Sequence, residues 1–184
     1  KIAVLSNSVL SMLYAVDGKA ISRVSTTDKL PPEIEALPAL GQTANINMEQ
    51  LLVLNPDVVL GLENQHKKYE AQLQSSKIPT VLIDYDGIKD NVPLLTFLGE
   101  LTNHQDKAKT VIATYENNIA KVKDAVKSQQ PARVAVLRAT GKGVTAETDT
   151  AITASMVKDL GMTNVVTSHL DKTTTDKTVP YSLE

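Results

Sequence analysis

The segment Asn45-Ile46-Asn47-Met48-Glu49-Gln50-Leu51-Leu52-Val53-Leu54-Asn55-Pro56-Asp57-Val58-Val59-Leu60-Gly61 constrains the fold more than any other part of the chain. It reads as a capped helix, an abrupt stop and a buried strand. Asn47 is a favourable N-cap residue, and Gln50 stands where a capping-box partner belongs. Glu49 falls in the first turn, where the helix dipole favours a negative charge. Leu51, Leu52 and Leu54 supply an apolar face. Pro56 ends the helix and displaces Asn55 from the α region. The run Val58-Val59-Leu60, closed by Gly61, predicts a short parallel strand buried on both faces.

The same alternation runs through the first hundred residues. Strands are expected over 2–5, 20–24, 58–60 and 80–83, with helices over 9–16 and 67–75. Pro31, Pro32 and Pro38 mark an irregular connection. A strand–helix alternation predicts an α/β architecture with a parallel, helix-covered sheet, and such sheets bind ligands beyond the carboxyl ends of their strands. Several polar residues occupy the expected exit loops: Asn7, Ser8, Thr27, Asp28, Gln42, Thr43, Glu63 and Asn64, with Tyr85 in the loop Asp84-Tyr85-Asp86-Gly87. They are candidates for ligand contact as a set.

Two helical patterns follow, over 92–102 and 104–129. In the second, Ala108, Val111, Ile112, Tyr115, Ile119, Val122 and Val126 share one face. That helix would be roughly 39 Å long, enough to cross from one lobe to another. The alternative is a long surface helix on a single sheet.

After Pro131 the pattern restarts. Arg133-Val134-Ala135-Val136-Leu137-Arg138 echoes Lys1-Ile2-Ala3-Val4-Leu5-Ser6, and Ser182-Leu183-Glu184 echoes the cap-then-acid order of Asn47 and Glu49. The two pairs of landmarks have nearly equal spacing, which predicts an internal repeat. Residues 1–103 are then a first α/β lobe and 131–184 the start of a second. A second lobe as long as the first would need about 50 further residues. The abrupt opening on a strand is what a removed leader, with any lipid-anchoring Cys, would leave.

Composition narrows the functional classes. A hydrophobic fraction of 42%, 22% charged residues and a net charge of −2 describe a globular chain without a nucleic-acid footprint. The chain has no Cys, which removes disulfides, thiolate metal sites and Cys nucleophiles together. No apolar run approaches the roughly 18 residues that span a bilayer. Aromatic residues are 3% with no Trp, thin for a pocket that holds a large flat ligand.

Catalytic signals are sparse. His66, His104 and His169 are scattered without metal-ligand spacing, and each reads as a surface residue. This argues against a metal-ion binding protein of the same architecture. The run Gly141-Lys142-Gly143-Val144-Thr145-Ala146 fits a loose dinucleotide fingerprint after a strand. It keeps open a Rossmann-like, nucleotide-dependent oxidoreductase, which requires a helix to begin near Gly143. The competing expectation is a flexible exit loop, with a helix over 152–160. Arg138, expected at the end of an apolar strand, and Lys142 beyond it could meet an anionic ligand, since Arg grips oxyanions in a fork.

One family carries this order of segments. The Ser-rich exit of the first strand, Val24-Ser25, Pro31-Pro32, Leu37-Pro38-Ala39-Leu40-Gly41, Asn47-Met48-Glu49 and Leu54-Asn55-Pro56-Asp57-Val58-Val59 together resemble the ABC-transporter substrate-binding proteins for ferric siderophores, haem and cobalamin. The resemblance implies a non-enzymatic protein outside the cytoplasm, with two α/β lobes and no intrinsic cofactor. Residues 104–130 would be a bridging helix, and the ligand would lie in the cleft between lobes. It also implies that Glu49 and Glu184, one acid per lobe, dock against arginines of a permease dimer. Haem binders of the family often place Met or Tyr where this chain has Ala44. Cobalamin sites tend to be aromatic-lined. Anionic ferric siderophores are met by basic residues, a role that Arg138 matches. The resemblance therefore implies an iron chelate, with siderophore ahead of haem and haem ahead of cobalamin.

Overall fold

Strand β4 (Val58–Leu62) is the centre of the first half of the chain, and it is buried where the sequence is most apolar. The computed structural model describes residues 1–128, 132–141, 143–167 and 176–181. They form two units. The first comprises Lys1–Tyr85 and Val92–Ile112, and the second Asp86–Asn91 and the residues from Ala113 onward.

The first unit opens with β1 (Ile2–Val4) and α1 (Asn7–Ala15). A short helix, α2 (Pro32–Glu35), has Pro at its start, where the missing N–H costs nothing. Strands β2 (Gly41–Gln42) and β3 (Asn45–Ile46) form a small antiparallel hairpin. Gly41 opens it at a φ of 88°, a conformation that side chains rarely adopt. Helix α3 (Met48–Val53) follows, and the Asn47 side chain accepts the Gln50 N–H at 3.1 Å, as the sequence predicts. The helix stops at Asn55, which turns left-handed (φ 47°) before Pro56. After β4 come α4 (Glu63–His66), a single 3-10 turn (Lys67–Tyr69), α5 (Glu70–Ser75) and β5 (Thr80–Ile83). Helix α6 (Asn91–Leu101) and the first turns of α7 (Gln105–Lys127) complete the unit.

The three long strands are parallel in the order β1-β4-β5, with Ala3 opposite Val59 and Leu60 opposite Val81. Their side chains alternate between two hydrophobic clusters, as the period of two in a strand requires. Val4 and Leu60 pack with Leu10, Leu13, Leu95, Leu98 and Ala108, beneath α1, α6 and α7. Ala3, Leu5 and Val59 pack with Leu40, Ile46, Met48, Leu51 and Leu73 on the other face. This two-sided burial is why β4 reads as an unbroken apolar run.

Two expectations are corrected here. The strand over 20–24 reduces to a single bridge between Arg23 and Ala39. The buried Ser22 explains it: its hydroxyl takes the Val4 N–H at 3.4 Å, so a side chain replaces the ladder partner beside β1. The helix over 67–75 starts earlier than predicted and is interrupted. Glu63 and Asn64 therefore stand in the first turn of α4 rather than in a loop.

The second unit takes the rest of α7, then β6 (Arg133–Val134), β7 (Leu137–Thr140), β8 (Gly143–Glu147), α8 (Ile152–Asp159), β9 (Thr163–Asn164) and β10 (Thr178–Pro180). The expected strand over 133–138 is split. Its start pairs in parallel with β9, whereas its end enters an antiparallel sheet of order β10-β8-β7. Residues 143–147 are thus a strand and not the opening of a helix. The next helix begins at Ile152, so the dinucleotide reading fails on geometry.

Gly99 on α6 lies against Ala108 on α7, and a Cβ at Gly99 would sit 2.5 Å from that of Ala108. Replacing Gly99 by Ala should lower stability by about 1–3 kcal/mol through overpacking, measured as a reduced urea midpoint with an unchanged slope.

Candidate functional site

All three strands of the parallel sheet point the same way, so the residues that follow them share one edge. Asn7 and Ser8 follow β1, Glu63 and Asn64 follow β4, and Asp84 and Tyr85 follow β5. The sequence-predicted candidates of the first unit are thereby brought to the carboxyl edge by topology alone.

Their local settings differ. Asn7 and Ser8 begin α1, and Ser8 Oγ lies 2.8 Å from Ser6 Oγ. Among the described residues, the buried side-chain oxygen of Asn7 has no hydrogen-bond partner. Thr27 and Asp28 are exposed, and the Thr26 hydroxyl, which sequence reasoning passed over, donates to Asp28 Oδ2 at 3.0 Å. This turn adjoins the hairpin, since Ser25 N–H donates to Gly41 O at 2.7 Å. Gln42 is exposed at the hairpin tip, with Thr43 half-buried next to it. Glu63 is paired with Lys67 at 2.8 Å, one helical turn away, and Asn64 is exposed. The Tyr85 ring packs against the hydrophobic cluster beneath α1 and α6, so it is less a free loop residue than the sequence implied.

His66 corrects a sequence reading. It is fully buried rather than on the surface. Its Nδ1 faces Leu62 N–H at 2.7 Å and its Nε2 faces Thr43 O at 2.8 Å. One partner can only donate and the other only accept, so the neutral Nε2–H tautomer is specified. Burial pushes the imidazole below its usual pKa, with the Thr43 carbonyl pulling weakly the other way. His66 ties the hairpin that carries Gln42 and Thr43 to the helix start that carries Glu63 and Asn64. The signal available in the sequence was Gly61: a Cβ there would lie 3.1 Å from the His66 Cβ, so the glycine makes room for the ring. His104 is exposed as expected, and His169 lies outside the described residues. Among the described residues, no group of three or more His, Cys, Asp or Glu is placed to hold a metal ion.

In the second unit Arg138 stands inside β7, opposite Thr145, and not at a strand's end. Its Nε–H and an Nη2–H donate to Glu147 Oε1 at 3.1 and 2.8 Å. Glu147 is 3% exposed, and its other carboxylate oxygen has no partner among the described residues. The guanidinium is thus half-exposed but already carries a counter-charge. Lys142 and Glu184 lie outside the described residues. A separate recess of about 310 Å³ in this unit is lined by Asp86, Gly87, Lys89, Asp149, Ser155 and Asp159. The Lys177 ammonium, 2.6 Å from Asp86, holds that carboxyl below the usual range.

Glu49 is exposed in the first turn of α3 and makes no ion pair among the described residues. No helix among the described residues is long and apolar enough to cross a membrane.

A family model described as periplasmic binding protein matches residues 2–178. The chain is 27% identical over 136 residues to the vitamin B12-binding protein of Pectobacterium atrosepticum, covering 73% of this chain and 49% of that protein. It is 27% identical over 146 residues to a probable siderophore-binding lipoprotein of Bacillus subtilis, YfiY, covering 75% and 44%. The chain therefore spans about half the length of these curated relatives. Among solved structures, an ABC transporter substrate-binding protein from Listeria monocytogenes superposes with a TM-score of 0.81 at 18% identity, covering 97% of this chain and 67% of that one. That likeness bears out the fold class: lobes of α/β structure, a parallel sheet and one long helix.

Removing Arg138 strands a buried carboxylate. Arg138→Ala should cost about 3 kcal/mol in urea unfolding. Arg138→Ala combined with Glu147→Leu should recover part of that loss, because the buried carboxylate that needed a counter-charge is then gone.

Proposed function

The chain belongs to the periplasmic binding protein family, and on that premise we propose that the complete protein is the extracytoplasmic substrate-binding component of an ABC importer whose cargo is a ferric siderophore. Members of such a family bind and hand on a ligand; they are not enzymes, and the bound group is cargo rather than a resident cofactor. The observation that carries the siderophore reading is the chemistry of the carboxyl edge. Asn7, Ser8, Thr27, Asp28, Gln42, Thr43, Glu63 and Asn64 offer hydrogen-bonding groups, whereas the chain has no Trp and the half-buried Tyr85 ring leans against the apolar cluster. An oxygen-rich chelate suits that edge better than a flat macrocycle, which prefers apolar and aromatic walls.

Arg138 is the candidate basic contact of the second unit. With Nε–H and one Nη2–H held by Glu147, the end of its fork formed by Nη1 and Nη2 is the part left for an anionic cargo. Lys142 would add a second cation nearby in sequence. Glu49, an exposed acid at a helix start, is the proposed docking contact of the first lobe with the permease, and Glu184 that of the second. The proposed bridging helix over 104–130 corresponds to α7 (Gln105–Lys127), and residues 129 and 130 lie outside the described residues. The protein would work outside the cytoplasm, in a periplasm or held at the cell surface by a lipid anchor.

Cobalamin is the second reading, favoured by the vitamin B12-binding relative, which matches at the same identity as the siderophore-binding one. Calorimetric titration of the full-length protein with ferric enterobactin, ferrichrome, a ferric carboxylate siderophore, haem and cyanocobalamin separates the readings. Saturable 1:1 binding of one ferric siderophore class is expected. Binding of cyanocobalamin or haem alone, or of none of the five, overturns the proposal. The docking role has its own measurement. Glu49→Arg should leave the affinity for the cargo unchanged and abolish most uptake in cells carrying the cognate permease, since a basic partner is then repelled.

A further inference from the structure

The hairpin Gly41–Ile46 is held from outside by one short helical segment. Three consecutive contacts do this. His66 Nε2–H donates to Thr43 O at 2.8 Å, Lys68 Nζ donates to Ala44 O at 2.7 Å, and Tyr69 Oη accepts from Ile46 N–H at 2.9 Å. All three act on backbone groups, so they fix the position of the hairpin whatever its side chains are. His66 is the imidazole of the clamp, and its burial moves protonation below the usual histidine range.

Its environment makes that change consequential. The ring is fully buried, and Nδ1 already accepts the Leu62 N–H at 2.7 Å. A proton added at Nδ1 would set two donors against each other at hydrogen-bond distance. A Cβ at Gly61 would lie 3.1 Å from Nδ1, so the ring fills the space that the glycine leaves. The charged groups around it are few. Lys68 and the Tyr69 ring, stacked at 6.4 Å between centroids, lie on its own segment, and Glu63 at the start of that segment is bridged to Lys67. The hairpin (Gly41–Ile46), β4 (Val58–Leu62) and β5 (Thr80–Ile83) contribute no titratable side chain. No carboxylate from these packed elements is therefore present to stabilise an imidazolium, and Lys68 opposes one.

We propose that His66 is a pH-responsive positioning residue: neutral, it locks the 41–46 hairpin against the start of α4; protonated, it releases the Thr43 turn. The sign follows from the burial of the ring. The native state resists taking the proton, so the contribution of His66 is complete above the ordinary histidine pKa. It is lost as pH falls from there through the lowered native value. If Gln42 and Thr43 contact cargo, as the function proposed above holds, acidification loosens one wall of the site.

Hydrogen exchange of the full-length protein without ligand, read as protection factors at about pH 7.5 and about pH 5, tests the switch itself. Protection at Leu62, whose N–H His66 Nδ1 accepts, should fall by about tenfold or more at the lower pH while Leu60 in β4 stays protected. His66→Gln, which keeps a side-chain donor toward Thr43, should remove the pH response. Tyr69→Phe deletes only the acceptor of Ile46 N–H; it should raise exchange there at both pH values and retain the pH response. Equal protection at both pH values in the wild type overturns the proposal. So does a loss shared by the whole sheet, or a response that persists in His66→Gln. A parallel titration with ferric enterobactin reads the consequence for cargo. A fall in affinity with pH about fivefold steeper in the wild type than in His66→Gln is expected. Absence of binding at either pH tells against the siderophore reading, and the exchange result still decides the switch.

Discussion

The first unit depends on one strand being dry on both sides. β4 hydrogen-bonds to β1 and β5 along its two edges and buries Val59 and Leu60 in opposite clusters. A strand so placed has no polar face to offer water, so its sequence must be apolar throughout and its neighbours parallel, with helices on either side. Everything else in the unit answers that demand. α1, α6 and the root of α7 close one face, while α3, α5 and the irregular segment around Val24 and Leu40 close the other. Asn7, Ser8, Glu63 and Asn64 gather at the carboxyl edge because β1 and β4 both end there.

What the sequence made legible was local. The Asn47 cap, the stop at Pro56 and the run of β4 each rest on interactions within a few residues, and each is present in the structure. The long helix was legible because its period is sustained over many turns. The failures were non-local. The segment 20–24 has a strand's composition, yet Ser22 takes over a backbone partner from β1 across the fold, and no window of sequence shows that. Gly141–Ala146 resembled a phosphate loop because glycines open hairpins as readily as they open nucleotide sites. Only the pairing of Thr140 with Gly143 decides between them. His66 was misread because a lone histidine carries no sign of burial, although the glycine five residues before it was a hint of close approach.

The candidate residues were easier to place than to interpret. Topology brings Asn7, Ser8, Glu63 and Asn64 to one edge, and hydrogen bonds through Ser25 and His66 add the turn at Thr27 and the hairpin at Gln42 and Thr43. Arg138 was found for its chemistry but sits in a different frame from the one expected, paired to a buried acid in an antiparallel sheet. The second unit is also more polar inside than the first. Glu147, Thr148 and Asn164 are buried there, and Asn164 donates to the Glu147 carbonyl at 2.9 Å. Interiors of that kind depend on every polar partner being in place.

The contact between Gly99 and Ala108 also constrains the order in which this chain can change over generations. The two positions share a volume with no slack, so enlarging either one first is selected against. A lineage that shortens Ala108 to glycine first relieves the tightest contact at position 99 and leaves the His104 carbonyl 3.3 Å from a Cβ there, whereas the reverse order meets both. In related sequences the two sites should therefore vary together, with a side chain on one helix or the other but seldom on both.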